Sequence, residues 1–307
     1  MSHRVPLPPS LRGHAIRTAD APLHEVGRGR LRGSDVAHPF HGVSSIDVDD
    51  STMVGRCRSY EPLLREAQWF SHLTALALFG APLARAARDG PLDLIVLAPR
   101  TPPRARGVRG YVAVAGSLEV GARTGFPVVS AADAWVQSAP LLTREDLVAA
   151  GDFLVTGRRT GPDREPPHST LDQLSAAVAR SRRKRGAVAM SWALPRIRIG
   201  ADSRPETLLR LLITSAGLPE PELRHPIAVE SGRVLHPDLV FAPVKVALEY
   251  EGDVHRVDRA TWLNDIERRE ALELAGWRVV RVTSRDVFEF PELFIARLRR
   301  ILGDRSL

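Results

Sequence analysis

The chain has 307 residues, enough for two domains, and 44% of them are apolar, as in water-soluble globular proteins. Lys and Arg outnumber Asp and Glu by 43 to 36, a net charge of +7. A lone cysteine, Cys57, excludes an intramolecular disulfide or a cysteine-rich zinc site and fits a reducing cytoplasm; MSHRVPLPPS has prolines where a signal peptide would need an apolar helix, and the longest apolar run, Leu73 to Ala84, is too short to span a bilayer.

The charge is uneven. From Asp202 onward there are 16 basic and 18 acidic residues, against 27 and 18 before it, so the N-terminal portion should supply most of the attraction to a polyanion. Ile16 to Val43 holds a short helix signal, a glycine turn at Val26-Gly27, the run Arg28-Gly29-Arg30-Leu31-Arg32 and a strand-like Pro39 to Val43. That order suits a small winged helix-turn-helix with Arg28, Arg30 and Arg32 beside phosphate. An ordinary basic loop between a helix and a strand explains the same residues. The order resembles the truncated winged-helix lead-in of AbiEi-like antitoxin proteins, as does His72 in its His-x-x-Ala-x-x-x-x-Gly stretch.

Leu63, Leu64, Ala67, Phe70, Leu73 and Leu76 predict a core helix over Glu61 to Phe79, in which His72 reads as a structural histidine. Pro91 to Ala98 and Gly110 to Ala115 read as paired strands, with helices following over Ala131 to Ser138 and Arg144 to Phe153. This part reads as a compact α+β unit with no phosphate loop, Ser/His/Asp arrangement or dinucleotide fingerprint. Gly157 to His168 reads as a linker and Leu171 to Ala179 as a helix. The basic run ending in Arg182, Arg183, Lys184 and Arg185 is placed to meet a DNA backbone. The expected division is residues 1–156, a connecting segment 157–200, and a domain over 201–307.

In that last domain Ser203, Pro205 and Glu206 have the spacing of a capping box opening a helix that Gly217 ends. Val234 to Phe241 and Val244 to Glu251 read as a hairpin about Ala242-Pro243. A two-residue turn pairs Phe241 with Val244 and sets Asp238 opposite Ala247, so Asp238, Glu249 and Glu251 share one face with His236 beside them. Carboxylates so placed repel, and a divalent ion with oxygen ligands, Mg²⁺ or Mn²⁺, is the usual compensation; a polar face turned to water is the plain alternative. Gly252 to His255 then reads as a turn, Arg259 to Ala275 as a helix with Asp265 and Arg269 on one face, and Trp277 to Thr283 as a strand.

Ser203 and Glu206, Pro237-Asp238, Glu249-Tyr250-Glu251-Gly252 with His255, then Asp265, Arg269, Glu273 and Gly276-Trp277 together resemble the very-short-patch-repair-like (Vsr-like) endonuclease domain of the PD-(D/E)XK restriction-endonuclease superfamily, over the last third of the chain. The resemblance implies an α+β or α/β fold with a restriction-endonuclease-like α-β-β-β-α-β core, and metal-dependent DNA cleavage. Asp238 and Glu249 would hold Mg²⁺ or Mn²⁺, Glu206 would reach it through water, and His255 would assist proton transfer. The chain departs from the pattern at Glu251, where lysine is common; there a carboxylate would act as base or second-metal ligand. Lys245, nearer the turn, is a spatial substitute to weigh. One carboxylate cluster per chain implies a nickase, and a homodimer for a double-strand cut. The reading from a different class keeps the fold without the reaction, as a DNA-binding regulator or antitoxin-like protein. RNA ranks lower, because only 6% of residues are aromatic.

Overall fold

The computed structural model describes residues 5–161, 163–182, 185–252 and 259–304. The chain divides into two compact units, residues 1–142 with 171–191, and residues 143–170 with 192–307.

In the first unit β1 (His14–Arg17) pairs antiparallel with β2 (Val43–Ile46) over a small core of Leu11, Ile16, Ala21, Val26, Leu31, Val36 and Ile46. The stretch between these strands holds two 3-10 turns, Thr18–His24 and Arg30–Arg32, and no α-helix, which corrects the expected helix-turn-helix. Its buried residues Ala21, Val26, Leu31 and Val36 recur every fifth position, a spacing that walks around a helix instead of lining one face. Pro22 and Gly27, Gly29 and Gly33 further shorten each turn.

Then follow α1 (Met53–Tyr60), β3 (Gln68–Phe70), α2 (His72–Phe79), α3 (Arg85–Arg88), β4 (Leu92–Leu97), β5 (Val108–Ala113), β6 (Val120–Arg123), β7 (Phe126–Val129) and α4 (Ala131–Ser138). The strands form one sheet in the order β5-β4-β3-β7-β6. The single helix expected over Glu61 to Phe79 is broken at Ala67 and His72, both left-handed, with φ of 56° and 48°. Strand pairing wins there, because it buries Phe70 edge-on against Phe126 at 5.7 Å.

The chain next contributes α5 (Arg144–Thr156) and the hairpin β8 (Arg159–Thr160)/β9 (Asp163–Arg164) to the second unit. It returns to the first with α6 (Leu171–Arg180) and most of α7 (Ala187–Ala193). Residues 157–200 are therefore shared between the two units. Helix α5 is buried from Asp146 to Thr156, which is why it cannot stand apart as the end of an N-terminal domain.

The second unit continues with α8 (Arg204–Ser215), β10 (Glu222–Leu223), β11 (Ile227–Ala228), β12 (Val234–Leu235), β13 (Leu239–Phe241), β14 (Val246–Glu251), α9 (Arg259–Leu274), β15 (Arg278–Thr283) and α10 (Pro291–Gly303). Its main sheet runs β10-β13-β14-β15, antiparallel except for the parallel pair β14/β15. One face, with Leu239, Phe241, Val246, Leu248, Val280 and Val282, packs on Leu209 and Ile213 of α8 and on Phe294, Ile295 and Leu298 of α10. Val240 and Ala247 on the other face meet Leu272 of α9 and the β11/β12 hairpin. Both units thus mix helix and sheet, as expected for an α+β chain. Among the described residues no helix is long and apolar enough to cross a membrane.

Candidate functional site

The acid-bearing hairpin forms with a longer turn than its sequence suggests. Ala242–Val244 makes a 3-10 turn and Lys245 is left-handed at φ 49°, so Phe241 pairs with Val246, Val240 with Ala247 and Leu239 with Leu248. One step on, Asp238 stands across from Glu249, two residues from the Ala247 expected. The slip is even, so every side chain keeps its face. The first strand is also interrupted: β12 ends at Leu235 and β13 begins at Leu239, with Pro237, which has no amide hydrogen to give a ladder, in the gap. Asp238 uses its freedom there to accept the Tyr250 amide hydrogen on Oδ2 at 2.8 Å.

Glu206 comes to the same place from α8. Ser203 caps the helix by accepting the Glu206 amide at 3.3 Å, and the Glu206 carboxylate turns back to accept the Asp202 amide at 2.9 Å. Glu206 is 6% exposed. Burial, and next to it the charge of Asp238, push its carboxyl up to about 8. Burial likewise raises Asp238 to about 6, with Glu249 and Asp202 adding repulsion and the Tyr250 amide opposing it. Asp238 is thus an electrostatic neighbour of Glu249, with which strand alternation groups it, and of Glu206, which only the resemblance brings in.

The outer acids each carry a guanidinium. Arg268 of α9 donates from Nε to Glu249 at 2.9 Å and from a terminal nitrogen to the His236 carbonyl at 2.6 Å. Arg281, beside Glu249 on β15, pairs with Glu251, which together with Asp265 holds it more firmly protonated. Glu251 thus stands with an arginine bound to it. Lys245 is exposed at the other end of β14, roughly 13 Å along the strand from Glu249 at 3.3 Å per residue, and its ammonium lies near Gly276; it does not join the acids. His255 lies outside the described residues.

Which of these groups suit a cation follows from their partners. Among the described residues Asp238 and Glu206 bear no ion pair, whereas Glu249 and Glu251 do. Among the described residues no group of three or more His, Cys, Asp or Glu side chains stands ready to hold a metal ion. Two hard carboxylate donors at Asp238 and Glu249, with water filling the remaining positions, do match what Mg²⁺ accepts.

The basic residues singled out by sequence scatter. Arg28 and Arg32 are exposed, but Arg30 is tied to both oxygens of Asp35, at 3.0 and 2.5 Å, and to the Val5 carbonyl. Arg182 and Arg185 are exposed; Arg183 and Lys184 lie outside the described residues. His72 is buried, stacked on Tyr111 with ring centroids 3.6 Å apart, and burial followed by the Arg109 charge pulls it down to about 3, as befits a structural histidine. Sequence reasoning missed Asp202, Arg268 and Arg281. For Arg268 a signal existed: it lies four residues before Leu272, a buried α9 residue of the core, and therefore on the face that meets the sheet.

No family model matches the chain. Two curated proteins of Mycobacterium tuberculosis, "Uncharacterized protein MT2308" and "Uncharacterized protein Rv2248", are each 34% identical to it over 134 residues, 44% of this chain and 49% of theirs. The chain thus spans about half the length of the curated relatives it matches. A crystal structure of the RV2827C protein from Mycobacterium tuberculosis is similar over 59% of this chain and 71% of that one, at 18% identity and a TM-score of 0.38.

Proposed function

We propose that the second unit is a metal-dependent DNA endonuclease or nickase. The observation that carries this reading is the convergence of Glu206 from a helix start, Asp238 from the gap before β13 and Glu249 from β14, with two of the three pushed toward protonation by burial and by neighbouring carboxylates. Raised carboxylates gathered in one place are a functional-site signal, because folding would otherwise avoid them. The succession α8, β10, β13, β14, α9, β15 is compatible with the restriction-endonuclease-like core that the motifs resemble.

In this reading Asp238 and Glu249 hold Mg²⁺ or Mn²⁺, with Glu206 reaching it through water. The ion, when bound, supplies charge for the phosphoryl oxygens and a more acidic water. Holding the ion would take Glu249 off Arg268, whose bond to the His236 carbonyl would keep it in place. Glu251, steadied by Arg281, serves as proton acceptor beside the cluster, with His255 assisting. Exposed Arg28, Arg32, Arg182 and Arg185 add non-specific DNA attraction, and a double-strand cut takes a homodimer. A cytoplasmic location completes the reading.

One observation favours the second reading, a catalytically inactive, DNA-binding regulator or antitoxin-like protein. Arg268 and Arg281 already neutralise Glu249 and Glu251, which is what a retired metal site would look like. Supercoiled plasmid separates the two. Nicking that needs Mg²⁺ or Mn²⁺, stops with EDTA and is lost in Asp238→Ala and Glu249→Ala supports the enzyme. Intact supercoils with either metal, or nicking that survives both substitutions, rejects it.

A further inference from the structure

Beside the acids, three arginines converge on one carboxylate. Arg159 of β8 reaches Asp202 Oδ2 at 3.3 Å, Arg164 of β9 pairs with Oδ1, and Arg224, just after β10, reaches Oδ2 at 2.5 Å. A single carboxylate balances one guanidinium, so the cluster keeps a surplus of two positive charges. It is not sunk in the core: Arg159, Arg164 and Arg224 are 48%, 26% and 28% exposed. The Asp202 amide hydrogen-bonds Glu206, which places this surplus next to the acid cluster.

Two further observations distinguish it from an ordinary surface ion pair. Arg224 sits in the left-handed region at φ 51°, uncommon for a residue with a side chain, and His236 Nδ1 meets its carbonyl at 3.1 Å. The segment leading to Asp238 therefore also fixes Arg224. Among the described residues, the second terminal nitrogen of Arg159 and both Nε and the second terminal nitrogen of Arg224 have no hydrogen-bond partner. These donors remain available in the forked arrangement that suits phosphate oxygens.

We propose that Arg159, Arg164 and Arg224, held together by Asp202, form a phosphodiester clamp that grips the DNA strand next to the Glu206/Asp238/Glu249 cluster. The inference rests on the endonuclease reading for its choice of ligand, and adds the surface that positions the strand. Asp202 spaces the three guanidiniums; Arg159 and Arg224 can each offer a free donor without leaving it, and Arg164, held by Asp202 and the Gly157 carbonyl, adds its charge.

The test is binding of a short fluorescein-labelled DNA duplex in EDTA, followed by anisotropy from about 50 to about 200 mM salt. Expected is a salt slope reduced by about one in Arg159→Glu and by about two in the Arg159→Ala/Arg224→Ala pair, with affinity reduced about tenfold or more, since each phosphate contact contributes roughly 0.9 to the slope. Arg159→Lys should restore most of the slope. Arg198→Ala, which removes a comparably exposed arginine paired with Glu220, should leave it unchanged. Arg159→Glu alters a half-exposed side chain, so it reports even if the double variant folds poorly. A wild-type slope in Arg159→Glu overturns the clamp, while plasmid nicking by the same preparation keeps the endonuclease reading; absence of both binding and nicking in the wild type overturns both. Tighter retention of an RNA duplex than of DNA overturns the assignment to DNA.

Discussion

Arg268 joins Glu249 to the His236 carbonyl, so one guanidinium on α9 bridges β14 and the segment between β12 and β13 that carries Asp238. Both partners are more buried than exposed, at 31% and 22% for the side chains. Substituting Arg268→Ala should destabilise the protein by about 1–3 kcal/mol, because Glu249 then loses its ion pair beside Asp238. If the pair shares its place with a metal, Mg²⁺ should raise the melting temperature of the variant more than that of the wild type. Melting scans with Mg²⁺ and with EDTA measure both effects, and equal metal responses would count against Asp238 and Glu249 as ligands.

The raised carboxyls of Glu206 and Asp238 fix the sign of a pH dependence. A Glu with an ordinary value of 4.5 and a folded value of about 8 binds its proton in the native state over a range where the unfolded chain has lost it. Its favourable contribution is complete below pH 4.5 and is lost as pH rises toward 8. Urea unfolding in EDTA should therefore show falling stability from about pH 5 to about pH 8. Glu206→Gln should flatten the fall by at least about 1 kcal/mol. An unchanged pH slope in the variant would show that the carboxyl is not held protonated.

The convergence of Asp238 and Glu249 was legible because period-two alternation survives an even error, whereas Glu206, on a helix, is grouped with them only through the family resemblance. The turn takes four residues in place of the two suggested by Ala242-Pro243, and Asp238 meets Glu249 in place of Ala247, yet parity keeps the face. An odd slip would have sent the acids among the aliphatics of Leu239 and Leu248. The arginines were less legible for a topological reason. Arg159 and Arg164 are 43 and 38 residues before Asp202, in a Gly- and Pro-rich stretch with the composition of a linker, and only the fold brings them back. The helix expected over Glu61 to Phe79 fails differently, since its apolar spacing fits a helix but Phe70 gains more by entering a sheet.

His72 gives the first unit an opposite pH response. Its imidazole is held down to about 3 by burial and by Arg109, against an ordinary 6.5, so the unfolded chain takes up a proton that the native state refuses. The native state is at its full advantage above pH 6.5 and loses it as pH falls toward 3. His72→Asn, which tolerates the left-handed backbone at this position, should remove that acid-side slope while losing the stack on Tyr111. Denaturant titrations at about pH 4 and about pH 7 read the difference; an acid-side slope as steep in the variant as in the wild type would assign it to other groups.

The second unit also depends on a pair far less exposed than any acid of the proposed site. Arg210 of α8 and Asp152 of α5 meet at 2.8 Å with side chains 1% and 0% exposed, and Thr207 and the Arg198 amide complete the shell around the carboxylate. Burial alone raises Asp152, and Arg210 is the first group opposing it. Arg210→Met should cost about 3–5 kcal/mol, since it strands a buried carboxylate and also frees Glu220. Removing both charges, as Asp152→Leu with Arg210→Met, should cost less than Arg210→Met alone, because no buried charge is then left unpaired. A double-mutant cycle from urea unfolding gives the coupling directly. If the double variant were as unstable as the sum of the singles, the pair would be acting through its separate hydrogen bonds to Thr207, Arg198 and the Arg196 carbonyl, and α5 would be held to α8 by those contacts instead of by charge.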